Sequence, residues 1–511
     1  MFLFCKKTKT AVTWNADYTM PLAYGSLGIA DILSDSIINI DSNQIVNLNI
    51  NKNLFSLNFD SLISIPITEV SDTFELPFPV AITINPGQLF ISETNQHNIN
   101  VQDVELREFY LLSADFDYLI ESSVQGEIIY EYIITSATDN LGQPFTNEVI
   151  VPPALSNQHS SVSGSFKIEN HLWDLTGLNG NSVNKIVVDV NVKVSDNNSA
   201  AVNMSNLDTL FFKSSISNVM LESAKGYFGS QNFDFGPDTT DLLFFDKILS
   251  GAVDIDEITM DLDIINGLGI DARTNLSELF VQDNMGANTI NFSHSIINQA
   301  LNINRAYKNG NQIIPSISSI NFTQNNSNIE QIIESLPDKI GYELNMIVNP
   351  LANVSAHNDF IHKDYPFALD MNLSMPLNAI VTNLTYQDTL ELNIPDTSGL
   401  NSAKLYIEID NGLPFEAELS ISIINGSSNI ISPDVISSGL FDISGLLIQK
   451  TQSELIIDIS KEDLNLLKLD NSIILTIKFN TANQGSYIDV YDYYNIDFKI
   501  NADFNLDVNI N

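Results

Sequence analysis

A single cysteine, Cys5, stands in 511 residues, which excludes intramolecular disulfides and every cysteine-built metal site. Cations are scarce as well. Twenty-two Lys and Arg face 63 Asp and Glu, for a formal net charge of −41, and Arg107, Arg273 and Arg305 are the only arginines. A surface of that sign repels phosphate, so nucleic-acid binding is excluded as the main activity. Tryptophan is limited to Trp14 and Trp173, a poor supply for carbohydrate-stacking platforms. No run of about 18 apolar residues occurs, so no transmembrane helix is expected. GxSxG, HExxH, P-loop and dinucleotide-binding glycine patterns are absent, leaving no catalytic residue, metal or cofactor to nominate.

What is present points to a large folded object. With 44 % hydrophobic and 17 % charged residues, the chain is too apolar to be disordered. Its length allows about three domains. About 60 Asn and about 65 Ile make up roughly a quarter of it, far above average usage. Both have AT-rich codons, but so does Lys, of which there are only 19. The anionic surface is therefore favoured in its own right, as for an extracytoplasmic protein of a saline habitat.

Apolar residues recur with period two, the mark of a strand that buries one face. From Asn495 to Asn511 every even position is apolar and every odd one polar. At ~3.3 Å per residue that strand would span about 55 Å, so it should bend or cross between two sheets. The same alternation runs through Ile186–Val194, Ile258–Ile264, Ile340–Val348, Leu369–Met375, Leu405–Ile409 and Ile473–Phe479. Asn179-Gly180, Asn309-Gly310, Asn425-Gly426 and the Asp139–Pro144 loop supply turns. The expected fold is all-β: elongated tandem antiparallel β-sandwich modules, long amphipathic strands and one or two short helices. One helix follows the capping box Ser327–Glu330, with Ile332, Ile333 and Leu336 at helical spacing before Pro337. A second would be capped by Thr240 and present Leu242, Phe245 and Leu249 on one face.

Internal repetition supports modules. Ile264–Ala272 (IINGLGIDA) matches Ile409–Ala417 (IDNGLPFEA), about 145 residues later; each reads as a strand, an Asn-Gly turn and a second strand. Phe166–Leu172 and Met346–Leu351 are fainter relatives. A period near 145 suits tandem sandwiches. With Pro152-Pro153 and Asn349-Pro350 as breaks, the expected organisation is a tether at 1–13 and β domains at 14–153, 154–348 and 349–511.

Candidate chemistry is thin. His357 and His362, with Asp359 and Asp364, approach ligand spacing, though a solvated loop before Pro366 accounts for them. Asp254, Asp256, Asp261 and Asp263 form a calcium-like run, but their alternation with apolar residues makes them the wet face of a strand. Asp489–Tyr494 could stack on sugars; a hairpin with exposed tyrosines is the simpler reading.

The opening, Met1-Phe2-Leu3-Phe4-Cys5-Lys6-Lys7-Thr8-Lys9, looks like the end of a bacterial lipoprotein signal, in which Cys5 becomes the acylated first residue; Phe4 stands where a small residue is usual. Together with the strand-Asn-Gly-strand segments and Asn349-Pro350-Leu351 before His357–Phe360, it resembles uncharacterised outer-membrane lipoproteins of Bacteroidota. That resemblance implies an outer-membrane anchor through Cys5 and brings no catalytic motif. The expectation is a non-enzymatic, lipid-anchored envelope protein, a structural or binding component whose only membrane attachment is the anchor and whose partner is another envelope protein or a hydrophobic ligand. In the alternative, a carrier, long sheets leave a lipid groove lined by Phe498, Ile500, Phe504 and Leu506. A secreted hydrolase is a third reading.

Overall fold

The computed structural model describes residues 12–33, 37–57, 59–76, 80–242, 247–283, 288–392, 400–423, 434–442, 445–467, 472–481 and 486–510. Strand accounts for 66 % of the described residues and helix for 5 %. All the paired strands run antiparallel. The alternating segments are strands whose even or odd residues are buried in turn. Lys185–Val194 does this without a break, its five inward residues each 3 % exposed or less. Burying five such side chains is worth roughly 10 kcal/mol, set against the entropy of ordering the strand.

The strands sort into three modules. The first is a nine-stranded sheet of Thr68–Glu75, Leu89–Asn98, Glu105–Ser122, Ile128–Thr138, Pro144–Val151, Ser160–Asp174, Lys185–Val194, Thr209–Tyr227 and, from far along the chain, Asp359–His362. It folds over itself: Tyr130 and Phe212, on strands that do not pair, stack at 5.0 Å. In the second module, Ile38–Ile40, Val46–Leu57, Phe367–Pro376, Thr259–Asn266 and Ser316–Thr323 form one sheet. Gln231–Asp241, Lys339–Val348, Ala272–Gln282, Thr289–Asn291 and Ala300–Ile303 form the other. Phe55 of the first sheet meets Phe235 of the second at 4.1 Å. The third module packs Val12–Gly28, Asn495–Ile510, Leu400–Asn411 and Thr451–Ile459 on a six-stranded sheet that includes Asn378–Glu391, Ser472–Thr481 and Phe415–Ile423.

These pairings run across the expected breaks at 153/154 and 348/349. Ser160–Asp174 pairs with Glu105–Ser122, and Phe367–Pro376 pairs with both Thr259–Asn266 and Val46–Leu57. The N-terminal strand lies beside the C-terminal one, from Val12 opposite Ile510 to Gly28 opposite Asn495. That C-terminal strand stays in one sheet. Its neighbours shift register against it between Pro21 and Ala23 and between Leu400 and Ser402, as at a bulge.

The second and third modules share a topology. In each, a strand ends in a buried asparagine and the chain crosses to the facing sheet. Asn266 donates through Nδ2 to the carbonyls of Ile270 and Asn304, both at 2.9 Å, and its Oδ1 accepts from the Leu268 N–H at 3.0 Å. Asn411 donates to Phe415 and Ser437, both at 3.0 Å, and accepts from the Leu413 N–H at 2.9 Å. The next glycines donate to Pro366 and Asn495, at 3.0 and 2.9 Å. The repeat is therefore a crossing between sheets, not a hairpin. Around it, Ser316–Thr323, the helix Ile329–Glu334 and Lys339–Val348 correspond to Thr451–Ile459, the helix Lys461–Leu467 and Ser472–Thr481. Of the fainter relatives, Asn170 sits inside a strand, whereas Asn349 is buried and bonds elsewhere.

The helix expected after Ser327 is present as Ile329–Glu334, with Ile329, Ile332 and Ile333 buried. Asn328 rather than Ser327 occupies its N-cap. Both ends of the helix expected after Thr240 lie in strands: Thr240 pairs with Ile340, and Leu249, 59 % exposed, belongs to Ile248–Ile255. Leu242 is buried, and residues 243–246, Phe245 among them, lie outside the described residues.

Candidate functional site

The four residues expected to line a groove lie on the inner face of the C-terminal strand or at its end. Ile500 and Phe504 are each 2 % exposed, and Phe498 and Leu506 are half-buried against the core. Phe498 and Ile500 border a cavity of about 30 Å³ closed by Ile407, Ile409, Leu475 and Ile477. A second apolar cavity, of about 60 Å³, lies where the second and third modules meet, among Leu48, Val253, Leu377 and Phe479. Small-molecule sites occupy about 300–1,000 Å³, well above either space. Cys5 lies outside the described residues.

The widest hollow among the described residues has a mainly polar lining. A cleft of about 920 Å³ opens at the join of the first two modules, bordered by Asp60, Gln102, Asp103, Glu105, Tyr227 and Gln231. Beside it the modules are clasped by Arg305. Its guanidinium donates to Asp271 at 2.6 and 3.1 Å and to Asp359 at 3.0 Å. Asp359 is fully buried and also accepts from Asn349 Nδ2 at 3.0 Å. Hydrogen bonding to Arg305 holds the Asp271 carboxyl below the usual carboxylate range. Asp359 begins the short strand that joins the first module's sheet, so this polar network fixes the join. Sequence patterning did not point to it, because Arg305, Asp271 and Asp359 are far apart and fit no motif.

His357 and His362 take separate partners. His357 Nε2 lies 2.5 Å from Glu105 and 3.0 Å from the Asn353 amide; His362 is 3.9 Å from Glu222 and 3.8 Å from Asp364. They do not converge on one point. Of the acidic run, Asp261 and Asp263 are indeed on a wet strand face, accepting from Asn321 at 2.8 Å and from Asn372 at 2.8 Å.

Asp254 is placed differently. Its carboxylate, with Glu330 and Glu334 of the short helix, brings three oxygens within 4.8 Å of one another, at the edge of a hollow of about 800 Å³. Burial, then the Glu330 and Asp254 charges, raise the Glu334 carboxyl, while the Ile255 N–H donates to it at 3.1 Å. The Tyr487 hydroxyl donates to Asp254 at 2.7 Å, and that bond pushes the phenol up to about 12. The expected exposed tyrosine hairpin is replaced by a packed cluster: Tyr491 and Tyr494 are 8 % and 0 % exposed, and Tyr493 is 40 % exposed. The Val490 N–H and C=O bond to Leu377 and Val46, stitching this segment to its neighbours.

No family model matches the chain, and no curated protein does. Among solved structures, the chain is similar to a Parabacteroides distasonis ATCC 8503 protein described as secreted, at 11 % identity and a TM-score of 0.27, over 96 % of this chain and 99 % of that one. Among the described residues no helix is long and apolar enough to cross a membrane.

Proposed function

We propose that the protein is a non-enzymatic component of a bacterial cell envelope, tethered by an acylated Cys5, and that its work is structural support or presentation of a binding surface. The observation that carries this reading is the packing of the apolar strand faces: among the described residues the apolar cavities between them measure about 30 and 60 Å³, far below a small-molecule site, and the wider hollows are open clefts at the surface. The join of the first two modules is likewise tied by polar contacts to the buried Asp359. The tether reading rests on the order of the sequence, in which apolar residues, Cys5 and a lysine-rich stretch precede the first strand.

The test is detergent phase partitioning and palmitate labelling of the protein made in its own host, beside Cys5→Ser. The native chain is expected in the detergent phase with label, and the variant unlabelled in the aqueous phase. Equal partitioning of the two, without label, overturns the tether.

A further inference from the structure

Three polar side chains of the third module bring an amine, a carboxamide and a carboxylate into mutual contact. Lys450 stands just before the strand Thr451–Ile459, and its Nζ donates at 2.6 Å to Oδ1 of Asn495, the first residue of the C-terminal strand. Lys450 Nζ also donates to Asp497 Oδ2 at 2.5 Å. The other oxygen of Asp497 accepts from Asn495 Nδ2 at 3.0 Å. One carboxylate therefore touches both the amine and the amide nitrogen. Asn495 Nδ2 donates to Ser26 Oγ as well, at 2.5 Å, so both amide hydrogens are engaged and the carbonyl faces Lys450.

The strands that carry these groups are not neighbours, because Leu400–Asn411 lies between them. Lys450 spans the gap over a glycine: a Cβ on Gly412 would lie 3.2 Å from Lys450 Cε. The second module shows that the crossing itself does not need the three side chains. Ser316 lies opposite Asn266 as Thr451 lies opposite Asn411, and Phe367 and Ile496 correspond in the same way. Pro315, Pro366 and Ala368 thus stand where the third module has Lys450, Asn495 and Asp497. The buried asparagines of the two crossings nonetheless make equivalent bonds.

We propose that Lys450 and Asn495 form an intramolecular isopeptide bond, with Asp497 carrying the protons. A lysine amine becomes a nucleophile when an adjacent base takes its proton, and Asp497 is within hydrogen-bond reach to do so. The freed Nζ attacks Asn495 Cγ and the Nζ–Cγ bond forms. Asp497 passes its proton to Nδ2, and the Cγ–Nδ2 bond breaks with its electron pair on nitrogen. The second Nζ proton follows by the same carboxylate, so nitrogen leaves as ammonium. An ammonium and a carboxamide have become an amide and a free ammonium ion, with no oxidant or cofactor consumed. The bond ties residues 45 positions apart and restricts the unfolded chain as a disulfide does, in a sequence whose single cysteine allows no internal disulfide. It is independent of acylation at Cys5.

The experiment is the intact mass and tryptic map of the full chain carrying Cys5→Ser, aged in mildly alkaline buffer, so that acylation does not alter the mass. The chain is expected to be lighter than its sequence by one ammonia. Trypsin should fail to cut after Lys450, and a branched peptide should join Lys450 to Asn495. Lys450→Arg keeps a cation beside Asp497 and should show the full sequence mass, as should Asp497→Asn. Circular dichroism matching the parent serves as the folding control for both variants. A full-mass parent that is cut after Lys450, a missing ammonia that maps to a succinimide at an Asn-Gly step, or a cross-link that persists in Asp497→Asn would each overturn the proposal.

Discussion

At the scale of single residues, the protein is held by buried polar side chains whose every bond is internal. Asn266 and Asn411 are each 0 % exposed and make three hydrogen bonds apiece to backbone across a crossing between sheets. Alanine at either position strands buried carbonyls and an N–H, so each variant should lose about 2–3 kcal/mol in urea unfolding. Aspartate should lose a comparable amount, because it cannot donate to the two carbonyls. Arg305 is the second such residue. Arg305→Met leaves Asp359 charged and buried and should cost about 3 kcal/mol, partly recovered in Arg305→Met/Asp359→Asn. The carboxyls give opposite pH signs. Asp271 is lowered by Arg305, so its contribution is present above the unfolded value of about 3.9 and lost as pH falls through the lower folded value. Glu334 is raised by burial and neighbouring acids, so its contribution is present below about 4.3 and lost as pH rises through the folded value. Glu334→Gln should therefore unfold at higher urea than the parent at pH 7, the difference shrinking toward pH 4.

At the scale of elements, period-two alternation located the long strands because one wet face and one core face leave a direct imprint on side-chain polarity. Lys185–Val194 and Lys339–Val348 were legible for that reason. The segment after Thr240 was not. Its first residues, Thr240 and Asp241, extend a strand that pairs with Lys339–Val348, a long-range partner that local spacing does not encode. The Asn-Gly crossing was visible as a repeat of strand, turn and second strand, but only the facing sheets show that its two strands belong to different layers. Its glycine is required by close approach. A Cβ on Gly267 would lie 2.6 Å from the Pro366 and Tyr365 carbonyl oxygens, whereas one on Gly412 would lie 3.0 Å from that of Asn495. Gly267→Ala should lose about 1–3 kcal/mol by thermal or chemical unfolding, and Gly412→Ala less.

At the scale of the whole molecule, the modules were legible as a period but not as an order along the chain. The first strand, Val12–Gly28, completes the last module, and Val46–Leu57 completes the middle one. Such pairings join residues almost 500 positions apart, and no local pattern encodes them. The same nesting explains why the candidate join was invisible: Asp271, Arg305 and Asp359 become neighbours only when Asp359–His362 enters the first module's sheet. The charge of −41 is spread over wet faces, where Asp263 and Asp503 accept hydrogen bonds across strands. Under the proposed function the apolar faces of the modules pack on one another and the chain carries lipid only as a covalent tether. Native mass spectrometry of the protein purified gently from its host envelope tests it most directly. The expected result is a single species of acylated polypeptide whose mass does not change on organic extraction; a stoichiometric, extractable lipid bound to each chain would contradict the claim.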